Sequence, residues 1–110
     1  MVDRKPLGTY PLANGRMIGR VEVQRLTLPP GGKTGLHRHP CPVISFVVEG
    51  SVTVQFLGEE PHTFTVGQTV FEPADTTVRR FDNASDSAPA VFIATYLLGE
   101  QDRELIHLLE

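Results

Sequence analysis

The sequence predicts an all-β domain folded as a small double-sheet barrel, and three observations carry that prediction. Glycine and proline are numerous, 10 and 9 of 110 residues, while hydrophobic content is an ordinary 40%. That mix suits many short strands joined by tight turns. Turn signals recur at roughly eight- to twelve-residue intervals, as in sandwiches and barrels. Between them lie runs rich in β-branched and aromatic residues, several of alternating polarity. A chain of this length fits one domain and buries roughly two-thirds of the surface it exposes when unfolded, enough for a single core.

The elements follow in order. Residues 1–20 hold Pro6, Gly8, Pro11, Gly15 and Gly19 with little periodicity, so they are expected to form an arm, of a kind that often packs on a neighbour, attached to a barrel spanning 21–110. Val21 to Leu28 reads as a strand whose apolar phase slips between Val23 and Leu26, which implies a bulge. Pro29-Pro30-Gly31-Gly32 ends it. Val43 to Val48 is almost continuously apolar, Glu49-Gly50 supplies a turn, and Ser51 to Leu57 alternates, so this pair is expected to form an antiparallel hairpin. After Gly58-Glu59-Glu60-Pro61, His62 to Val66 and Thr69 to Glu72 read as short strands, and Pro73 breaks the ladder. Val78 to Phe81 precedes a polar loop from Asp82 to Ser87, and Ala90 to Leu98 is a strongly apolar strand. Glu104 to Leu109 fits either a strand or one helical turn. Internal repeats are absent from the sequence.

Composition narrows the function classes. The formal net charge is −3 with a pI near 5.8, and the basic residues are scattered, so no nucleic-acid footprint is expected. The acidic balance argues against membrane surfaces, and no apolar run approaches the roughly 18 residues of a membrane span. The opening Met1-Val2-Asp3-Arg4-Lys5-Pro6 lacks the apolar stretch of a secretory signal. Cys41 is the only cysteine, which rules out an intrachain disulfide and suits a reducing compartment. A cytoplasmic protein is the expectation.

Chemistry concentrates in Gly31-Gly32-Lys33-Thr34-Gly35-Leu36-His37-Arg38-His39-Pro40. Two histidines two residues apart on an extended strand point from one face, which is how a barrel presents two imidazoles to one ion. Gly31, five residues, His37-Arg38-His39, and then an apolar strand ending at Glu49-Gly50 resembles the first motif of the cupins. Gly67, five residues, and Pro73 resembles the opening of the second. The resemblance covers residues 21–98 and implies a double-stranded β-helix, or jelly-roll, barrel that commonly holds one divalent metal. It implies a homodimer as well. Cupins include dioxygenases, isomerases, decarboxylases, epimerases and non-enzymatic binding proteins, so fold alone does not fix function. His37 and His39 match the family's metal positions. Where the family carries its glutamate and its second-motif histidine, this sequence has Val43 and Val78. Asp75 and Asp82 replace the usual glycine and asparagine.

The metal site is therefore either dead or rebuilt from other residues. Cys41 shares the parity of His37 and His39 and could supply a thiolate, or be a small residue packed at the barrel mouth. Glu72 is a carboxylate in an otherwise apolar run, fit either to bind a cation or to hydrogen-bond a ligand histidine. Arg80 has the parity of Val78 and could aim its charge into the lumen to hold a carboxylate, or reach solvent. His62 and His107 are expected on the surface. Val43 and Val78 would make the interior dry, which favours a small apolar or weakly polar organic ligand. One divalent ion (zinc, iron or nickel) and no metal both stay open. Three functions follow: a small-molecule-binding barrel with a reduced metal site, a metal-dependent oxygenase- or isomerase-like enzyme, and a non-catalytic dimeric module with exchanged arms. The strands Val43 to Val48 and Ala90 to Leu98 are apolar on both faces, so a homodimer built on sheet packing is expected.

Overall fold

A computed structural model describes residues 2–109 and shows nine strands arranged as two antiparallel sheets. They are β1 (Arg20–Leu28), β2 (His37–Arg38), β3 (Val43–Glu49), β4 (Ser51–Phe56), β5 (His62–Thr65), β6 (Thr69–Glu72), β7 (Val78–Asn83), β8 (Ala90–Leu98) and β9 (His107–Leu108). The first sheet has the order β1-β8-β3-β6 and the second β5-β4-β7-β2-β9. Two packed antiparallel sheets of this kind form a jelly-roll barrel. Among the described residues, no helix is long and apolar enough to cross a membrane.

Alternation on β8 builds the core. Ala90, Phe92, Ala94, Tyr96 and Leu98 are buried and point into the barrel. They meet Val52 and Val54 of β4 and Phe81 of β7, with the rings of Phe81 and Phe92 centred 4.7 Å apart. Each large apolar side chain removed from water here contributes about 1.5–3 kcal/mol.

The structure corrects two expectations about strand pairing. The anticipated bulge in β1 is absent, since Arg20 to Leu28 pair with Leu98 to Ala90 without a slip. The broken apolar phase has another source: Val21 and Val23 lie on the outer face, 54% and 61% exposed, while Leu26 and Leu28 pack against the core. β3 and β4 are not a hairpin either. β3 pairs with β6 and β8, and β4 with β5 and β7, so Glu49-Gly50 carries the chain from one sheet to the other. Gly50 makes that corner at φ +72°, and a Cβ placed there would lie 2.5 Å from the Pro89 carbonyl oxygen.

A third departure re-phases β7. Phe56 pairs with Val78 but Gln55 with Arg80, so Arg79 is an extra residue bulged out of the ladder. Beyond the bulge the inward positions are Phe81 and Asn83, and the strand runs through Asp82, where a loop was expected. The buried Asn83 closes the barrel end: its amide nitrogen donates to the carbonyls of Leu28, Pro29 and Ala88, and its oxygen accepts from the Ser85 N–H.

The arm lies on its own barrel. Tyr10 stacks on Phe71 of β6 with ring centroids 4.9 Å apart, its hydroxyl meets Thr69, and Thr69 also donates to the Leu7 carbonyl. Farther on, Arg16 donates to the Pro40 carbonyl and to Asp102. The final segment is extended and becomes β9, the edge strand beside β2.

Candidate metal centre

His37 on β2 and His39 just past its end are both buried inward, and Arg38 between them is exposed, as the spacing predicts. Opposite them, in the other sheet, β6 ends at Glu72, whose strand parity with Val70 turns its carboxylate into the lumen. All three side chains are buried, and one ligand atom from each lies within 4.8 Å of the other two. Glu72 Oε2 is 2.9 Å from His39 Nε2 and 3.5 Å from His37 Nε2. An ion bound about 2.1 Å from each donor keeps its donors roughly 3–3.5 Å apart, so these spacings suit a shared cation.

The hydrogen bonds behind the rings sharpen this point. His37 Nδ1 donates to the Gly35 carbonyl at 2.8 Å, and His39 Nδ1 donates to the Leu105 carbonyl at 2.6 Å. In a neutral ring that tautomer leaves a bare lone pair on each Nε2. Both lone pairs face a carboxylate oxygen, so with neither Nε2 protonated the buried Glu72 Oε2 receives no hydrogen bond. Such a cluster needs a positive charge among the three atoms. A proton is one choice. Burial pulls the His39 pKa down, but the hydrogen bond and charge of Glu72 and the Leu105 carbonyl outweigh it and leave the pKa raised. Burial likewise pushes Glu72 up, and the two imidazoles overcome it and hold the carboxyl below its ordinary value. A divalent cation is the other choice, and it replaces the proton.

A cavity of about 70 Å³ adjoins the three donors. Its walls are mostly apolar, with Leu26, Val43, Phe81, Phe92 and Ile106 among them, and Thr34, Ser45 and Tyr96 add polar groups. The Thr34 hydroxyl is buried without a partner. Tyr96 sets its ring edge against His39, with centroids 5.9 Å apart. Burial, together with the charge of Glu72, pushes its pKa to about 12, so it stays a hydrogen-bond donor at neutral pH.

The remaining sequence candidates separate cleanly. Val43 lines the cavity, whereas Val78, fully buried and paired with His37, does not reach its wall. Arg80 is corrected: the Arg79 bulge turns it outward, its side chain is 48% exposed, and its Nε lies 4.0 Å from Asp82 on the surface. Cys41 is buried but stands outside the three-donor cluster, because the chain leaves strand geometry after Arg38 and does not regain it until Val43. His62 and His107 lie away from the site, His107 pairing with Glu104 at 3.0 Å. Thr34, Ser45, Tyr96, Leu105 and Ile106 were not anticipated. Only Tyr96 left a trace, a polar-tipped residue on the inward parity of β8.

Burial pushes the Cys41 pKa from 9.0 up to about 11. An unfolded chain ionises this thiol near pH 9 while the folded chain resists, so stability is full below pH 9 and falls as pH rises towards 11. The expected result is negligible labelling of native Cys41 by a disulfide reagent at pH 8.5 and complete labelling in denaturant. Rapid labelling of the native protein would contradict the buried placement.

Comparison with known proteins agrees with this architecture. A family model described as a cupin domain matches residues 24–96. A cupin-like protein from Thermotoga maritima superposes with a TM-score of 0.71 at 19% identity, covering 89% of this chain and 71% of that one. Oxalate oxidase in complex with the substrate analogue glycolate gives 0.68 at 22% identity, over 81% of this chain and 46% of that one. The DMSP lyase DddQ from Ruegeria pomeroyi gives 0.66 at 20% identity, over 81% and 43%. The chain thus spans less than half the length of these two enzymes, and likeness at such identity speaks to fold alone. No curated protein matches the chain.

Proposed function

The chain belongs to the cupin domain family, and on that footing we propose that it is a metal-dependent protein acting on a small organic molecule. His37, His39 and Glu72 hold one divalent cation, and the molecule binds in the adjoining cavity. The observation that carries this reading is the convergence of two imidazole Nε2 atoms, their Nδ1 partners fixed on backbone carbonyls, on one buried carboxylate oxygen. Two histidines and one carboxylate with open positions form the ligand set of non-haem iron oxygenases, and they also suit zinc. This favours the enzymatic reading over a barrel with a reduced site. A bound ion would supply a Lewis acid and a place for substrate or water to ligate. The chain's own residues set the rest: the Gly35 and Leu105 carbonyls fix the imidazoles, Tyr96 and Thr34 offer hydroxyls to a polar end, and the apolar walls keep water out. With about 70 Å³ available, the molecule is small.

The test is elemental analysis of protein purified without a histidine tag. About one metal per chain is expected, absent from His37→Ala and His39→Ala and retained in Cys41→Ser. Protein that stays metal-free after incubation with zinc, iron and nickel would sink the reading.

A further inference from the structure

β2, which carries His37, is only two residues long, and His39 follows just beyond its end, its carbonyl accepting from the Asp75 N–H at 2.8 Å. β2 makes a single registered pair with β7, His37 with Val78, but two with β9, His37 with Leu108 and Arg38 with His107. The Leu109 N–H adds a bond to the Leu36 carbonyl at 3.0 Å. The same segment makes the hydrogen bond that orients His39, through the Leu105 carbonyl at 2.6 Å. It also packs the Leu105 side chain against the core and places Ile106 on the cavity wall. His37 differs, because its Nδ1 bonds to Gly35 on its own strand's approach and needs nothing from this segment. The segment starts from a fixed point: Asp102 accepts from Arg16 at 2.9 Å and from the Gly99 N–H at 2.8 Å. Beyond it, Arg103 and Glu104 are exposed, and Ile106, Leu108 and Leu109 are partly open to solvent.

We propose that residues 103–109 form a strap that positions His39 for the metal, with Leu105 as the positioning residue, so that strap closure and metal binding are coupled. The proposal rests on the metal reading above and adds that this segment controls the site. A strap held by few hydrogen bonds and one anchored side chain opens more readily than the core. While it is open, His39 loses the partner that fixes its tautomer, and β2 becomes an edge strand with one registered pair. Loss of such outer partners lowers metal affinity by about 10- to 100-fold. Linkage requires the converse, so bound metal must favour the closed strap by the same factor.

Zinc is the probe. Its affinity is measured by chelator competition for the full chain, for a chain ending at Arg103, which keeps the Asp102 anchor, and for Leu105→Ala and Leu105→Met. Amide exchange is followed in the full chain with and without zinc. The expected result is a 10- to 100-fold affinity loss for the shortened chain, a loss in the same direction for Leu105→Ala, and near-complete rescue by Leu105→Met, which keeps the packing. Zinc should slow exchange at 103–109 far more than at β4 or β8, a signature that general stabilisation would not give. If the full chain binds zinc but the shortened, folded chain and Leu105→Ala bind it equally well, the strap is overturned and the metal site stands. If the full chain binds no zinc, the metal reading falls and the strap falls with it. Should the shortened chain not fold, the Leu105 pair and the exchange data decide.

Discussion

Glu72→Gln is expected to strip the protein of its metal while leaving the metal-free barrel about as stable as before. The substitution keeps the volume of a side chain that is 3% exposed but removes the anionic donor, leaving two imidazoles, fewer than the three protein ligands usual for a catalytic zinc. An affinity loss of at least about 100-fold is expected, beyond the cost of disturbing a ligand's outer partner. Stability behaves differently. The carboxylate presents a lone pair to His39 Nε2 at 2.9 Å, whereas a carboxamide can turn its NH₂ there and donate. A contact that required a proton becomes an ordinary hydrogen bond, worth about 1 kcal/mol. Melting in the presence of a chelator should therefore shift by only a few degrees, and chelator competition should show zinc affinity collapsing. Wild-type affinity in the variant would remove Glu72 from the site. A large drop in melting temperature without metal would mean that the carboxylate serves mainly to hold the two sheets together.

Gly50→Ala carries the largest expected cost to the fold itself. The corner between β3 and β4 holds φ at +72°, and the new methyl would sit 2.5 Å from the Pro89 carbonyl oxygen and 3.1 Å from the Ala90 Cα. Both neighbours are backbone at the start of β8, the central apolar strand, so neither yields without shifting it. The left-handed conformation costs about 1–3 kcal/mol in a residue other than glycine. Displacing β8 adds to this, for a total of about 3 kcal/mol, which in a domain of this size lowers the melting temperature by roughly 10–20 °C. Gly58→Ala is the control: φ is +81° there, but a Cβ meets nothing within 4 Å, so only the conformational part should be lost. Equal losses in the two variants would show that the contact with Pro89 adds nothing.

These two residues also show what was legible in the sequence. The parity of His37 and His39 about Arg38 was readable because a strand alternates whatever its partners, and Glu72 could be named because a carboxylate in an apolar run requires an explanation. That Glu72 meets the histidines was not readable, since β2 and β6 lie in different sheets and only the closed barrel brings them together. Arg80 failed for a local reason: a bulge at Arg79 leaves no mark in the pattern Val78-Arg79-Arg80-Phe81, yet it reverses every later side chain. Gly50 was correctly read as a turn and wrongly read as a hairpin. A glycine at positive φ states that the chain turns and does not say which strand it turns towards. The Leu105 carbonyl was beyond sequence reasoning altogether, because a backbone acceptor carries no residue signature.

The pairing of β1 with β8 sets a timetable for synthesis. Leu28 finds Ala90 and Arg20 finds Leu98, so β1 leaves the ribosome with its partner still roughly 60 residues away, several seconds at ordinary elongation rates. Through that interval Leu26 and Leu28, which pack against the core in the finished fold, have no partner strand. The first sheet cannot close until β8 has emerged, and pairings so distant in sequence place such folds among the slower ones, in milliseconds to seconds. The last strands to be made therefore close the barrel, and a nascent chain interrupted before Ala90 lacks both the central strand of the first sheet and the Leu105 carbonyl that bonds His39.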